Sequence, residues 1–390
     1  MNHEAQESPE NAARLNAIRH EIDLVDRQLL ELLNQRASLS LEVGRIKADT
    51  QGAIFRPQRE REVLDRLSAL NRGPLPDSHL RSLWREIMSS SRALQRPQRV
   101  AYLGPEGTFS HFAGLEYLGH SALFYPCGNI TQIFDMVATN QCELGVVPLE
   151  NSLQGTVGVS FDLFLSHEVF IQAELFSRIA HCFLSDAPAL AAVRTVYSHP
   201  QPLAQCGNWL RAHVPNASLV PVESTAAAAR RACGHEDAAA IGHASLSKIV
   251  GIDVLARHIE DASGNWTRFV IIGPQPARTS SSDTASEDNK TSLLFTLPDR
   301  SGALSGVLNL LATHGINMRK IESRPLKGER WKYAFFADVE SNLEDHSHDT
   351  LLEKLKEACN SFRILGSYPI GPQLDRVDGG GGPGDPVDEG

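Results

Sequence analysis

The sequence is poor in cysteine, lacks any long hydrophobic run and carries no excess of basic charge, and each absence narrows what it can be. Six cysteines in 390 residues (Cys127, Cys142, Cys182, Cys206, Cys233 and Cys359) stand far apart without C-x-x-C spacing. That argues against a disulfide framework or a zinc knuckle and predicts reduced, mostly packed thiols, with no metal and no cofactor implied. No apolar stretch approaches the roughly 18 residues of a membrane span, and Met1 to Glu10 is polar and acidic where a signal segment would be apolar. A soluble, cytoplasmic protein is expected. With a net charge of −10 there is no nucleic-acid footprint, which needs a clustered basic excess.

What is present is an ordinary globular composition, 42% hydrophobic and 22% charged, on a chain long enough for two to four domains at roughly 100 to 200 residues each. Residues 11–97 read as helix. Residues 98–274 alternate short β-rich runs with helical stretches, the pattern of an α/β domain. A Pro/Ser/Thr/Asp segment at 275–289 reads as a linker that few contacts should cross, which makes the region beyond it separable. Residues 290–373 read as strand, helix, strand, strand, helix, strand. The remainder, 374–390, is rich in Gly, Pro and Asp and is expected to be disordered. Charge is unevenly spread. The first 97 residues hold 14 Arg and a single Lys, Lys47, against 14 acids, a skew that points to fixed recognition of anions.

In the helical region, Leu15, Ile18, Ile22, Val25, Leu29, Leu32, Leu39, Val43 and Ile46 follow a 3,4,3,4 spacing, with Arg36 occupying one position of the seam. The periodic stretch is about 32 residues, or roughly 48 Å, too long for an 80-residue region to cover, which favours a dimer. A second helix should open at Pro57, and a third should be capped by Asp77, with Leu80, Trp84, Met88, Ser91 and Gln95 inward. Glu60 falls on the apolar face of the second helix, and Lys47 lies eleven residues after Arg36 on the same face. A buried Arg36–Glu60 ion pair is the plain reading. Yet cations outnumber the carboxylate, and an uncompensated buried cation costs several kcal/mol, so the cavity should take an anion.

This pattern of Arg19, Arg36, Lys47, Arg59-Glu60, Ser91 and Gln95 resembles the all-helical chorismate mutases, which form intertwined dimers. The resemblance implies that Arg19 of a partner chain, Arg36 and Arg59 grip the two carboxylates of chorismate. Glu60 would hold the ring hydroxyl, Ser91 would line the site, and Lys47 and Gln95 would meet the ether oxygen. Some members carry an acid where Arg56 stands, and Arg56 is left without a role.

In the α/β region polar clusters follow the β-rich runs Val100–Leu103, Leu144–Val147, Thr195–Tyr197 and Leu219–Val222. Strand ends of open α/β sheets form ligand crevices, and Thr108 and Ser224 stand where helix caps belong. His111 and His199 lack neighbours that would make a metal site. The motifs Tyr102-Leu103-Gly104-Pro105-Glu106-Gly107-Thr108-Phe109-Ser110, Pro148-Leu149-Glu150-Asn151-Ser152, Ser198-His199-Pro200-Gln201, Glu223-Ser224-Thr225-Ala226-Ala227 and Asn265-Trp266-Thr267-Arg268-Phe269 together resemble prephenate dehydratase. The resemblance implies two α/β subdomains around a cleft, like a type II periplasmic binding protein, with the chain crossing near 178 and 259. Thr108, Asn151, Ser152, Ser198, His199, Gln201, Ser224 and Thr225 become substrate-binding candidates and Thr267 the catalytic donor. Glu150 and His199 are candidate proton sources. Alternation in a strand puts Arg268 on the face opposite Thr267, a structural place rather than a substrate clamp.

Residues 291–368 resemble an ACT domain of βαββαβ form, in which Gly302-Ala303-Leu304 and Glu322-Ser323-Arg324-Pro325 match motifs that bind phenylalanine; Ser305 stands where the family has Val. The three resemblances imply a bifunctional enzyme that rearranges chorismate to prephenate, converts prephenate to phenylpyruvate and is inhibited by L-phenylalanine. A solute-binding-like regulator without catalysis is the alternative, and the intact run from Asn265 to Phe269 favours the enzyme.

Overall fold

A computed structural model of the chain describes residues 9–50, 55–277, 289–326, 328 and 331–374. Most of the expected linker and all of the expected tail beyond 374 lie outside the described residues. Leu374 itself is a correction to the expected tail, since it is buried in a short strand.

The helical region is α1 (Pro9–Thr50), α2 (Pro57–Leu70) and α3 (Asp77–Gln95). The helix α1 is longer than its apolar repeat because the polar residues on either side continue it. Pro57 opens α2 as its fixed φ favours. The expected Asp77 cap is not made. Pro76 occupies that position, and the Asp77 carboxylate instead accepts from Arg81 Nε at 2.8 Å, one turn along. Leu80 and Met88 are buried, whereas Ile22, Val25, Leu29, Leu32, Leu39 and Ile46 of the α1 seam are each more than half exposed.

The α/β region has two lobes. The first holds β1 (Arg99–Leu103), α4 (Phe109–Leu118), β2 (Leu123–Cys127), α5 (Ile130–Ala138), β3 (Leu144–Asn151), β4 (Gly155–Thr156), α6 (Gly158–Ser166) and β5 (Phe170–Arg178). The second holds β6 (Cys182–Leu184), β7 (Thr195–Ser198), α7 (Pro200–Gln205), α8 (Gly207–His213), β8 (Ser218–Pro221), α9 (Thr225–Ala232), β9 (Ala238–Gly242) and β10 (Val254–Ala256). The chain then returns to the first sheet as β11 (Trp266–Gly273). Among the described residues the sheet orders are β16-β5-β11-β3-β1-β2, where β16 is Gln373–Leu374 near the end of the chain, with β4 beside β3, and β10-β6-β9-β7-β8. The crossings near 178 and 259 are therefore found. They lie side by side, tied by Ile179 N–H to Asn265 O at 2.7 Å and Ile259 N–H to His181 O at 3.0 Å.

The C-terminal region is β12 (Asn289–Thr296), α10 (Ala303–Thr313), β13 (Met318–Pro325), β14 (Tyr333–Val339), α11 (Asp349–Ala358) and β15 (Ser361–Pro369), a βαββαβ unit with sheet order β13-β14-β12-β15. After it β16 (Gln373–Leu374) pairs with β5. The expectation of a separable region with few crossing contacts is overturned. Phe336, Leu365 and Tyr368 share one core with Phe161 and Phe164 of the first lobe, and the Phe161 and Phe336 rings meet edge to face at 4.5 Å. At Gly366 the approach is close, since a Cβ there would lie 2.0 Å from Ile171 O. Among the described residues no helix is long and apolar enough to cross a membrane.

Candidate active sites

In the helical region α3 brings two residues back to back. Ser91 turns to α1, where Arg36 Nη1 donates to its Oγ, and Arg92 turns to α2, where its Nη1 pairs with Glu60. The plain Arg36–Glu60 pair does not form. Arg92 is buried, its Nη2 donates to Leu118 O in α4, and its guanidinium lies 5.6 Å from the Phe55 ring centre. Sequence reading missed it, because Arg92 falls off the stripe of Trp84, Met88, Ser91 and Gln95. It lies three residues after Ser89, on a second face that packs against residues 118–121, where Ser121 N–H donates to Ser89 Oγ at 3.1 Å.

Gly44 lets α1 approach α3 at Gln95, for a Cβ there would sit 3.0 Å from Gln95 Cα. The Gln95 side-chain oxygen is buried without a hydrogen-bond partner among the described residues. Burial holds the Arg36 guanidinium below its ordinary value. Lys47 is likewise lowered, first by burial and then by the Arg56 cation, with Glu60 opposing. The site thus joins Arg36, Lys47 and Arg92 to Glu60, a positive balance. Arg59 is not drawn in; its exposed side chain pairs with Glu62 at 3.0 Å. Arg19 is exposed on α1.

In the α/β region the polar run Glu150-Asn151 does not follow a strand but completes β3, because β11 pairs with it. Thr267 stands opposite Asn151, and Asn151 Nδ2 donates to Thr267 Oγ1 at 3.0 Å, to Asn265 Oδ1 at 2.7 Å and to Trp266 O at 3.2 Å. Its Oδ1 accepts from the N–H groups of Leu153 and Gln154, which fixes the amide's orientation. Ser152 bonds Gly264 O and Trp266 N–H. Gln201 of the second lobe reaches across to Gln154 Oε1 at 2.9 Å. Neither Gln154 nor Asn265 is among the expected site residues. Asn265 opens the motif that contains Thr267, whereas the signal of Gln154 was position alone, three residues after Asn151.

The remaining candidates are engaged in helix caps and backbone bonds. Thr108 and Ser224 cap α4 and α9, accepting from His111 N–H at 3.4 Å and Ala227 N–H at 3.0 Å. His199 caps α7 through Nδ1. Thr225 begins α9, and Ser198 is fully buried, donating to Ile241 O at 2.9 Å. The loop before Thr108 packs against the second lobe at Gly107, whose φ of +90° and a would-be Cβ 2.4 Å from Leu246 Cδ2 admit only glycine. His111 is not exposed chemistry. Burial lowers its pKa, and Nδ1 accepts from Gly107 N–H at 3.2 Å. Glu150 fails as a proton source for Thr267, since it lies on the opposite face and pairs with Lys320 at 2.7 Å. Arg268 lies on the face opposite Thr267, buried against Asp338 and Glu174.

In the C-terminal region Gly302, with φ +79°, precedes α10, which opens on Ala303 and Leu304. Glu322-Ser323-Arg324-Pro325 does not follow a strand but ends β13. Glu322 accepts from Thr156 Oγ1 at 3.1 Å and Arg324 pairs with Asp162 at 3.1 Å, so both engage the first lobe. Ser323 is exposed.

A helical region with an excess of buried cations, a two-lobed α/β region and a βαββαβ unit follow one another, the architecture of a multidomain protein. Three family descriptions match in sequence: chorismate mutase type II at residues 18–96, prephenate dehydratase at 100–277 and the ACT domain at 291–357. The bifunctional chorismate mutase/prephenate dehydratase of Aquifex aeolicus is 39% identical over 359 residues, 91% of this chain and 98% of that protein. The chain belongs to the bifunctional chorismate mutase/prephenate dehydratase family. Among solved structures, prephenate dehydratase from Arthrobacter aurescens in complex with L-Phe matches with TM-score 0.61 and 29% identity over 70% of this chain and 90% of that one. GqqA, described as a novel type of quorum quenching acylase, matches with TM-score 0.62 and 30% identity over 70% and 98%.

Proposed function

We propose that this chain rearranges chorismate to prephenate in residues 11–97, converts prephenate to phenylpyruvate in 98–274, and is inhibited by L-phenylalanine through 290–373. The observation that carries it is the Asn151–Thr267 bond. With Asn151 donating into Thr267 Oγ1, the threonine's own O–H is left to point at the leaving hydroxyl of prephenate. Loss of the ring carboxylate as CO2 supplies the electron pair that expels the ring hydroxyl; the Thr267 O–H bonds the departing oxygen, which leaves as water on taking a proton from solvent. The solved acylase of similar fold is a reminder that fold alone does not fix chemistry, so the reading rests on these residues.

The first reaction is unimolecular and needs no base. Arg36 and Arg19 of a second chain hold the carboxylates, joined by Arg59 once it leaves Glu62, and Glu60, steadied by Arg92, holds the ring hydroxyl. Lys47 and Gln95 stabilise charge developing on the ether oxygen. Because Arg19 must come from another chain, a homodimer is part of the proposal. Gly302, Ala303, Leu304, Glu322, Ser323 and Arg324 are proposed to take phenylalanine. The cytoplasm is its proposed location, where thiols that form no disulfide stay reduced.

The test is one preparation assayed on both substrates, with phenylpyruvate absorbance as the second readout. Arg36→Ala should lower mutase kcat/KM by about 30-fold or more and spare the dehydratase. Thr267→Ala should do the reverse, lowering phenylpyruvate formation by at least about tenfold. A chain that binds prephenate but forms no phenylpyruvate would instead be a binding regulator.

A further inference from the structure

Cross-strand register places four charges in one ring behind the cleft. In the first lobe Asn151 stands opposite Thr267 and, one step on, Glu150 stands opposite Arg268. Side chains alternate along a strand, so the two pairs face opposite sides of the sheet, the second toward the C-terminal unit. There Lys320 of β13 stands opposite Asp338 of β14. The two cross-strand pairs meet. Arg268 Nη1 lies 2.5 Å from Asp338 Oδ2, and Lys320 Nζ lies 2.7 Å from Glu150 Oε1. The signs alternate round the ring.

The ring is fastened, dry at Arg268 and Asp338 and half-open at Glu150, whose side chain is 36% exposed. Arg268 and Asp338 are 5% and 1% exposed. Arg268 also pairs with Glu174, which Lys290 of β12 holds at 2.8 Å, and Asp338 accepts from Ser292 Oγ. Burial alone would raise the Asp338 carboxyl, but Arg268 and Lys290 outweigh it and keep the carboxyl below its usual range. Arg268 and Asp338, this buried, do not part singly without a large penalty. Both sheets are irregular at the ring, with register shifts between Arg268 and Phe269 and between Met318 and Lys320. Such irregularities re-aim side chains and cluster beside active sites.

We propose that Glu150 and Arg268 are positioning residues of the dehydratase site, held from behind by Lys320 and Asp338, so that β13 sets the place of Asn151 and Thr267. The inference deepens the regulatory reading and rests on it. The strand carrying Lys320 also carries Glu322 and Arg324, both on the same face and both bonded to the first lobe. A ligand that shifts β13, the outer strand of its sheet, pulls on Glu150 and through it on Asn151.

Full-length wild type is compared with Lys320→Met, which removes the ammonium lying 5.5 Å from the Phe161 ring centre and leaves an unbranched apolar side chain, with Glu150→Gln, and with the charge-swapped double variant Lys320→Glu/Glu150→Lys. Prephenate turnover, phenylalanine inhibition, phenylalanine binding by calorimetry and mutase activity are measured on each. Each single variant should lower dehydratase kcat by about fivefold or more with KM within about twofold, leaving mutase activity unchanged. Phenylalanine should still bind, while the maximal inhibition it produces falls by about half or more. The swapped pair should recover at least about half of the lost kcat. Single variants with wild-type kcat and full inhibition overturn the proposal, as does a swapped pair no better than either single variant while mutase activity reports a folded chain. A wild type that neither binds phenylalanine nor is inhibited by it defeats the regulatory reading alone, and the kcat comparison still decides the positioning role.

Discussion

At the scale of single residues, one substitution in the helical site has a pH consequence. Lys47 acts on the ether oxygen only as an ammonium, and burial, then the Arg56 cation, lower its pKa. Activity that needs the charged form is present below that pKa and lost as pH rises through it. The falling limb of mutase kcat/KM should therefore start below the ordinary lysine range of about 10.4. Arg56→Asp removes a repelling cation and adds an attracting anion, so the limb should move to higher pH. A pH–rate profile of both forms checks this, and a limb that stays in place or moves down removes Lys47 as the titrating group. Arg92 is the counterpart that could not be read in advance, since its role depends on Leu118 O and Glu60, 26 and 32 residues away.

Among elements, the contact of β15 with β5 depends on one missing side chain. At Gly366 an added Cβ meets backbone, Ile171 O at 2.0 Å and Ile171 C at 3.0 Å, and backbone cannot swing aside as a side-chain tip can. Gly366→Ala should cost at least about 2 kcal/mol and lower the thermal midpoint, a loss read by denaturation with mutase activity as a control. A variant as stable as wild type would mean that the two strands do not pack this closely. Elements with a strong period were legible in advance: the α1 repeat, the Pro57 start of α2 and the βαββαβ order. Those set by tertiary partners were not. Glu150-Asn151 has the composition of a loop yet pairs with β11, and Ala238–Gly242 lacks β-branched residues apart from Ile241 yet runs as a central strand. Alanine suits it there because the Ala226, Ala228, Ala229 and Ala232 face of α9 packs in the same core as Ala238 and Ala240. In the cleft, Asn151 and Thr267 were readable as motif residues, but the bond between them depends on the register of two strands 116 positions apart.

For the whole molecule, the outstanding feature is the apolar seam of α1. A 42-residue helix is about 63 Å long, and α3 covers only part of one side. Ile22, Val25, Leu29, Leu32, Leu39 and Ile46 remain more than half exposed, an apolar stripe of a kind that single soluble chains rarely present to water. A second copy of α1 is the proposed cover, and it would also deliver Arg19. The dehydratase residues Asn151 and Thr267, in contrast, come from one chain. Val25→Asp/Leu32→Asp puts two carboxylates in the seam, where they would be buried without partners in a dimer. Sedimentation should find wild type at twice the chain mass and the variant at the chain mass. Mutase activity should fall by about 100-fold or more, because Arg19 is lost together with the cover, while dehydratase activity stays within about threefold. A monomeric variant with near-normal mutase activity would show that the helical site is complete in one chain and that Arg19 has no part in it.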